Sequence, residues 1–175
     1  MADRWLQEIV IFAGMTGLRL GEILNARWED VDLGQGTLLV RSSEGYTMKA
    51  GRMRKIPLND TCVSLLMNKD SKQGFIFRGR RRGKANTNYV SAQFRKAVRL
   101  QGMDQKLHFH SLRHTFSTML IKKGASLYQI QKLLGHSSPR VTETYAHLQP
   151  DELHHVVSRV SICHDANDAP LNQEQ

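Results

Sequence analysis

Cysteine is scarce in this chain: Cys62 and Cys163 are the only two in 175 residues. Two thiols so far apart cannot build the network of bridges that staples small secreted domains, and a reducing cytoplasm suits them better. Long apolar runs are missing as well. None approaches the roughly 20 residues that a membrane-spanning helix needs, and Met1–Trp5 lacks the basic and apolar blocks of a signal peptide. The expectation is a soluble, intracellular protein with no membrane partner. There is no internal repeat, which sets solenoid architectures aside. What remains is an ordinary globular composition, 40% apolar and 23% charged, in a length that suits one domain with a real core.

The net charge of +9 is unevenly spread. Residues 1–48 hold four Lys and Arg against seven Asp and Glu, residues 49–106 hold fifteen against three, and residues 107–175 hold six against six. A basic middle inside a folded domain is the electrostatic footprint expected for a polyanion such as DNA, although a solvated lysine-rich face has the same composition. Its densest stretch contains Arg78, Arg80, Arg81, Arg82 and Lys84 with no apolar residue to anchor it, which reads as a mobile loop able to lie along a phosphate backbone. A helix over Val90–Leu100 turns Phe94, Ala97 and Val98 inward and displays Arg95, Lys96 and Arg99.

Leu6, Ile9, Val10 and Ala13 recur at helical spacing, so residues 4–15 read as a core helix that Gly17 ends. A second helix is expected from Arg19 to Arg27, with Ile23 and Leu24 inward. Arg19 and Glu22, three apart, then share a face, either as a surface ion pair or with Glu22 orienting Arg19 around a bound phosphate. From Val31 to Arg41 the period changes to that of a turn and a strand. Further strands are expected around Tyr46–Lys49 and Arg52–Leu58, with Ala50-Gly51 turning between them. That places Lys49 beside a hairpin tip, where a lysine is ordinarily just solvated. Asp60 opens a helix carrying Val63, Leu65 and Leu66, and Phe75-Ile76-Phe77 reads as a short buried segment. Leu148–Val160 resumes helical spacing, with an apolar stripe of Leu153, Val156, Val157 and Val160 that needs a partner in cis or in trans. The tail 163–175 is expected to be disordered.

The stretch from His110 to Tyr145 carries the chemistry. Ser111 is a plausible N-cap for a helix through Phe116, Met119 and Leu120 that Gly124 stops. Ser126 and Gln129 form a capping box opening Leu127–Leu134, which Gly135 ends. Ser138-Pro139 reads as the start of a further short helix with Tyr145 near its end. His110, Arg113, His136 and Tyr145 therefore sit on separately capped elements that can converge on one concave surface. Each also has a quieter explanation. His110 and His114, four apart, have the spacing of zinc ligands but no third ligand at a suitable distance, so no metal is expected. His136 could complement a helix C-terminus, and Tyr145 could be a core aromatic.

As an ordered set, these residues resemble the tyrosine recombinase (phage integrase) family. His110-x-x-Arg113, then Leu134-Gly135-His136, then Tyr145 nine residues beyond that histidine follow its spacing. Thr16-Gly17-Leu18-Arg19-Leu20-Gly21-Glu22 is similar to its first arginine block, and Lys49, eight residues before Pro57, falls where its hairpin lysine lies. The resemblance implies a catalytic domain over 1–162, with its C-terminal helix near 150–160. The implied fold is α+β but mainly α, with a small three-stranded antiparallel sheet at one edge. Strand transfer through a 3′-phosphotyrosine link is implied, with Tyr145 as nucleophile, Arg19 and Arg113 on the phosphate, His110 as base, His136 as hydrogen-bond donor and Lys49 as general acid, supported by Glu22 and His114. No metal or other cofactor is implied. The implied partners are double-stranded DNA and further copies of the chain, tetrameric on DNA and at most weakly associated free of it. The family commonly adds an N-terminal helical domain that completes a clamp around DNA. This chain is expected to start near the catalytic domain's first helix, which leaves a non-catalytic DNA-binding remnant, or a regulator on the same fold, as the alternative.

Overall fold

The computed structural model describes residues 3–42, 46–47, 53–79 and 83–135. They form a mainly helical domain with a three-stranded antiparallel sheet, as expected. Helix α1 (Arg4–Thr16) is central because its helical spacing buries Leu6, Ile9, Phe12 and Ala13 along one face. Gly17, left-handed at φ 64°, ends it, and its N–H donates to the Ala13 carbonyl. Helix α2 (Leu20–Asn25) is shorter at both ends than the expected Arg19–Arg27. Arg19 is its N-cap, while Ala26 and Arg27 are extended, the Ala26 carbonyl accepting from Ile76 N–H and Arg27 bridging Phe75. Tertiary pairing with the 75–77 segment overrides the local helical pattern there.

The sheet, in order β1 (Val31–Asp32), β2 (Thr37–Val40) and β3 (Arg54–Pro57), differs from expectation in its first and second strands. Val31–Asp32 folds back on Thr37–Leu38 through a tight turn in which Asp32 Oδ1 accepts from Gln35 N–H and Gly36 is left-handed at φ 59°. Tyr46, expected in the middle strand, is only a lone bridge residue, and Lys49, Ala50 and Gly51 lie outside the described residues. In the register Leu38↔Ile56 and Val40↔Arg54, the strands turn Leu38, Val40 and Ile56 into the core.

Helix α3 (Asp60–Met67) is capped by Asn59, whose Oδ1 accepts from Cys62 N–H, and it buries Cys62 and Leu66. Helix α4 (Thr87–Leu100) begins ahead of the expected Val90 because Asn86 Oδ1 accepts from both Asn88 and Tyr89 N–H. Helix α5 (Ser111–Lys122) corrects the expected cap: His110 holds the N-cap position, and the Ser111 hydroxyl instead accepts from His108 N–H at 3.2 Å. Helix α6 (Leu127–Leu134) opens with the expected Ser126–Gln129 capping box and closes at Gly135, left-handed at φ 64°. α1 packs most extensively on α5, and the main core joins α1, α2, the sheet, α3 and α4, with Phe12 against Phe77 and Phe94 against Phe109. Ile121, Ile130 and Leu134, with Phe116, form a smaller cluster between α5 and α6. No helix among the described residues is long and apolar enough to cross a membrane. The readings placed on Ser138-Pro139, Leu148–Val160 and the tail lie outside the described residues.

Candidate active site

Glu22 organises the first half of the site. It occupies the third position of α2, so its carboxylate reaches back to the cap: Oε2 accepts from Arg19 N–H at 2.9 Å, and Oε1 meets Arg19 Nη1 at 3.3 Å. The residue is 4% exposed, far from the surface ion pair that its spacing alone allows. Its main partner comes from the sheet. Arg54 Nη1 donates to Glu22 Oε1 at 3.0 Å and Nη2 to Oε2 at 2.9 Å, a two-pronged pairing of guanidinium and carboxylate. Burial alone pushes the Glu22 carboxyl upward, but the hydrogen bond and charge of Arg54, then the Arg19 N–H and charge, outweigh it and hold the group below the usual carboxylate range.

Arg113 organises the second half. Its position on α5 turns it inward, where it is 3% exposed, and its Nη1 donates to the Gly17 carbonyl at 2.8 Å and Nη2 to the Leu134 carbonyl at 2.9 Å. Those carbonyls lie at the C-terminal ends of α1 and α6, where helix dipoles place partial negative charge, so one buried cation ties two helix ends together. The backbone turn at Gly17 is pressed against α5 and α6: a Cβ there would lie only 2.7 Å from Leu134 Cδ2 and closer still to the Phe116 ring.

His110, at the head of α5, is exposed and makes no capping hydrogen bond. Its ring stands 5.2 Å from the His114 ring, edge to face, and 6.4 Å from that of His108. Partial burial lowers its pKa, and the charges of Arg113, His114, Arg19 and His108 lower it further. Arg113 holds the Gly17 carbonyl, two residues before Arg19, and lies in the first turn of the helix whose N-cap is His110, so the three share one neighbourhood. Beside it, a hollow of about 300 Å³ is lined by Leu18, Leu20, Thr87, Arg95 and His110, among others. Guanidiniums and an imidazole are group types that can hold an oxyanion and accept a proton. Among the described residues, no group of three or more His, Cys, Asp or Glu could hold a metal ion.

Arg19, Glu22, His110, Arg113 and His114 are thus brought to one region. Lys49, His136 and Tyr145 lie outside the described residues. Arg95, Lys96 and Arg99 are exposed on α4 and share a second hollow of about 350 Å³, with Arg95 also lining the one beside His110. The two ends of the basic loop are anchored. Arg78 and Lys84 bridge each other, the Arg78 carbonyl accepts from Trp5 Nε1, and the Arg78 guanidinium donates to Ser71 Oγ and the Gln73 carbonyl. Arg80, Arg81 and Arg82 lie outside the described residues.

Sequence reasoning missed two residues. Arg54 was visible only as part of the expected strand Arg52–Leu58, and Tyr46 only as a strand residue. The Tyr46 ring lies against α2, where a Cβ on Gly21 would meet its Cε2 at 3.1 Å. Burial raises the Tyr46 phenol, as does the Glu22 charge, with Arg19 and Arg54 opposing. No local signal marks Arg54, because its partner Glu22 lies 32 positions away.

Comparison with known proteins agrees with this geometry. The model of the phage integrase family matches residues 2–152. Tyrosine recombinase XerC of Xanthomonas campestris pv. campestris (strain B100) is 32% identical over 153 residues, 85% of this chain and 45% of that protein. The crystal structure of XerA recombinase has a TM-score of 0.64 at 26% identity, over 93% of this chain and 64% of that one. A lambda integrase dimer bound to a COC′ core site gives a TM-score of 0.64 at 26% identity, over 80% of this chain and 53% of that one. The chain therefore spans about half the length of the relatives it matches.

Proposed function

The chain belongs to the phage integrase family, and from that premise we propose that it is the catalytic part of a tyrosine-type site-specific DNA recombinase. The reaction is strand cleavage and rejoining during recombination or integration of a mobile element. The Tyr145 phenolic oxygen attacks phosphorus, its proton passes to His110, and the bond from phosphorus to the 5′-oxygen breaks. Lys49 supplies the proton to that departing oxygen. The resulting 3′-phosphotyrosyl ester conserves the bond energy, so a second 5′-hydroxyl can reverse the steps and release the tyrosine. Arg19 and Arg113 stabilise the charge that develops on the non-bridging oxygens, and His136 donates a hydrogen bond to one of them.

The observation that carries this reading is the Arg113 guanidinium spanning the Gly17 and Leu134 carbonyls, which brings Arg19 and Arg113 into one region with His110, whose pKa burial and neighbouring charge lower. A guanidinium pair alone would suit any phosphate-binding module; a neutral base beside it suits proton transfer at neutral pH. The partner is double-stranded DNA, supported by the net charge of +9 and by a lambda integrase structure bound to a core site. The working assembly is an oligomer of this chain on DNA, with residues 1–162 as the catalytic unit and the cytoplasm as its place of action.

The test is covalent trapping. Nicked duplexes that shed a short fragment after cleavage, drawn from the flanks of the host element, are incubated with the protein and with Tyr145→Phe, then run on a denaturing gel. A shifted protein–DNA band present only with Tyr145 establishes nucleophile and reaction class together. Salt-dependent binding with no band from any flank, including from a chain extended at its N-terminus, would overturn the catalytic reading.

A further inference from the structure

We propose that Arg54 is a positioning residue of this site, holding Glu22 so that Arg19 stays available to the phosphate. The proposal rests on the strand-transfer reading above. Arg54 joins three segments that each lead to a candidate catalytic residue. Its guanidinium forks onto Glu22, three residues after Arg19, and its Nε donates to the Leu133 carbonyl at 3.0 Å, three residues before His136. Arg54 itself lies five residues after Lys49. Tyr46, three residues before Lys49, packs on Gly21, so adjacent residues of α2 hold Tyr46 and Arg54.

The pair is buried, with side-chain exposures of 11% for Arg54 and 1% for Glu22. A buried ion pair is poorly explained by stability, since apolar residues of similar volume commonly serve as well. Geometry gives the better explanation. Arg54 Nη1 and Arg19 Nη1 meet the same oxygen, Glu22 Oε1, at 3.0 and 3.3 Å. Arg54 takes the stronger, two-pronged share and leaves Arg19 the weaker single contact. Without Arg54, the buried carboxylate has one cation left and draws the Arg19 guanidinium fully onto itself, withdrawing donors from the phosphate. Gly135 fits the same account: a Cβ there would lie 2.9 Å from Arg54 Nη1 and 3.0 Å from Cζ, so a bare backbone at that point lets the guanidinium reach the end of α6.

The experiment compares Arg54→Met, Arg54→Lys and the double variant Glu22→Gln/Arg54→Met with the wild-type chain in single-turnover trapping, with duplex affinity measured in parallel. Arg54→Met should slow covalent-complex formation about 10²-fold while leaving duplex affinity within about twofold. Arg54→Lys keeps the charge but loses the fork and should recover only part of the rate. The double variant should be faster than Arg54→Met alone, because a neutral amide does not sequester Arg19; a merely structural role would lower duplex affinity together with rate in Arg54→Met and recover both together in the double variant. Wild-type cleavage by Arg54→Met, or equal losses of affinity and rate, would overturn the proposal, as would a double variant slower than the single one. Should Arg54→Met fail to fold, Arg54→Lys and its double with Glu22→Gln carry the comparison. If even the wild type traps no DNA, the strand-transfer reading falls separately. Nitrogen-15 spectra of the Arg19 guanidinium then decide this one: Arg54→Met should slow its rotation, and unchanged exchange refutes the proposal.

Discussion

Gly17 offers the sharpest test of how tightly the site is packed, because two different penalties meet there and can be separated. Its φ of 64° is one an L side chain rarely adopts, which costs Ala roughly 1 kcal/mol. In addition, a Cβ would stand 2.7 Å from Leu134 Cδ2 and inside van der Waals contact of the Phe116 ring. Displacing two packed side chains adds about 1–3 kcal/mol, so Gly17→Ala should lose about 2–4 kcal/mol in all. Two other glycines supply the controls. Gly124 is also left-handed, at φ 81°, but a methyl group added there would meet nothing within 4 Å, so Gly124→Ala should lose only the backbone share, about 1 kcal/mol. Gly14 lies inside α1 with ordinary backbone and open space, so Gly14→Ala should gain about 0.5–1 kcal/mol. Urea unfolding of the three variants measures all of this, provided the slopes match the wild type. If Gly17→Ala loses no more than Gly124→Ala, the neighbours yield freely and the close approach of α1, α5 and α6 does not hold the site. Because the Gly17 carbonyl accepts from Arg113, the same substitution should also slow DNA trapping.

Three further outcomes follow from the same geometry. Glu22→Gln breaks a buried pair and should lose about 3 kcal/mol at pH 7. The folded-state pKa of Glu22 is lowered, so its contribution is present above the unfolded value and fades as pH falls through the folded one; the gap between variant and wild type should narrow in acid, and an equal gap at both pH values speaks against the buried clamp. The acid limb of the trapping rate should lie below the ordinary imidazole value near 6.5, since burial and neighbouring charge lower His110, and a limb above pH 7 in a pH–rate profile contradicts that role. Replacing Arg95, Lys96 and Arg99 together by Ala should flatten the dependence of log affinity on log salt by about 2–3, read by fluorescence anisotropy with a duplex, whereas an unchanged slope removes α4 from the DNA interface.

Local chemistry was enough to read much of this chain. The helical spacing of Leu6, Ile9 and Ala13, the capping box of Ser126 and Gln129, and the stops at Gly17, Gly124 and Gly135 all act within a few residues, so the elements they define could be found without a fold. Arg19, Glu22, His110 and Arg113 were marked before any packing was known by the resemblance of their ordered motifs to those of the family. Tertiary structure decided what depends on distant partners. Val31–Asp32 is a strand because a turn folds it onto Thr37–Leu38, and two residues carry no period to read. Arg27 leaves its helix to pair with Phe75. Above all, Glu22 and Arg54 are 32 positions apart, and Arg113 reaches carbonyls 96 and 21 positions away. A sequence shows that such charges exist; only the fold shows which of them share a buried site, because the low dielectric there makes every unpaired charge expensive and so selects the partners.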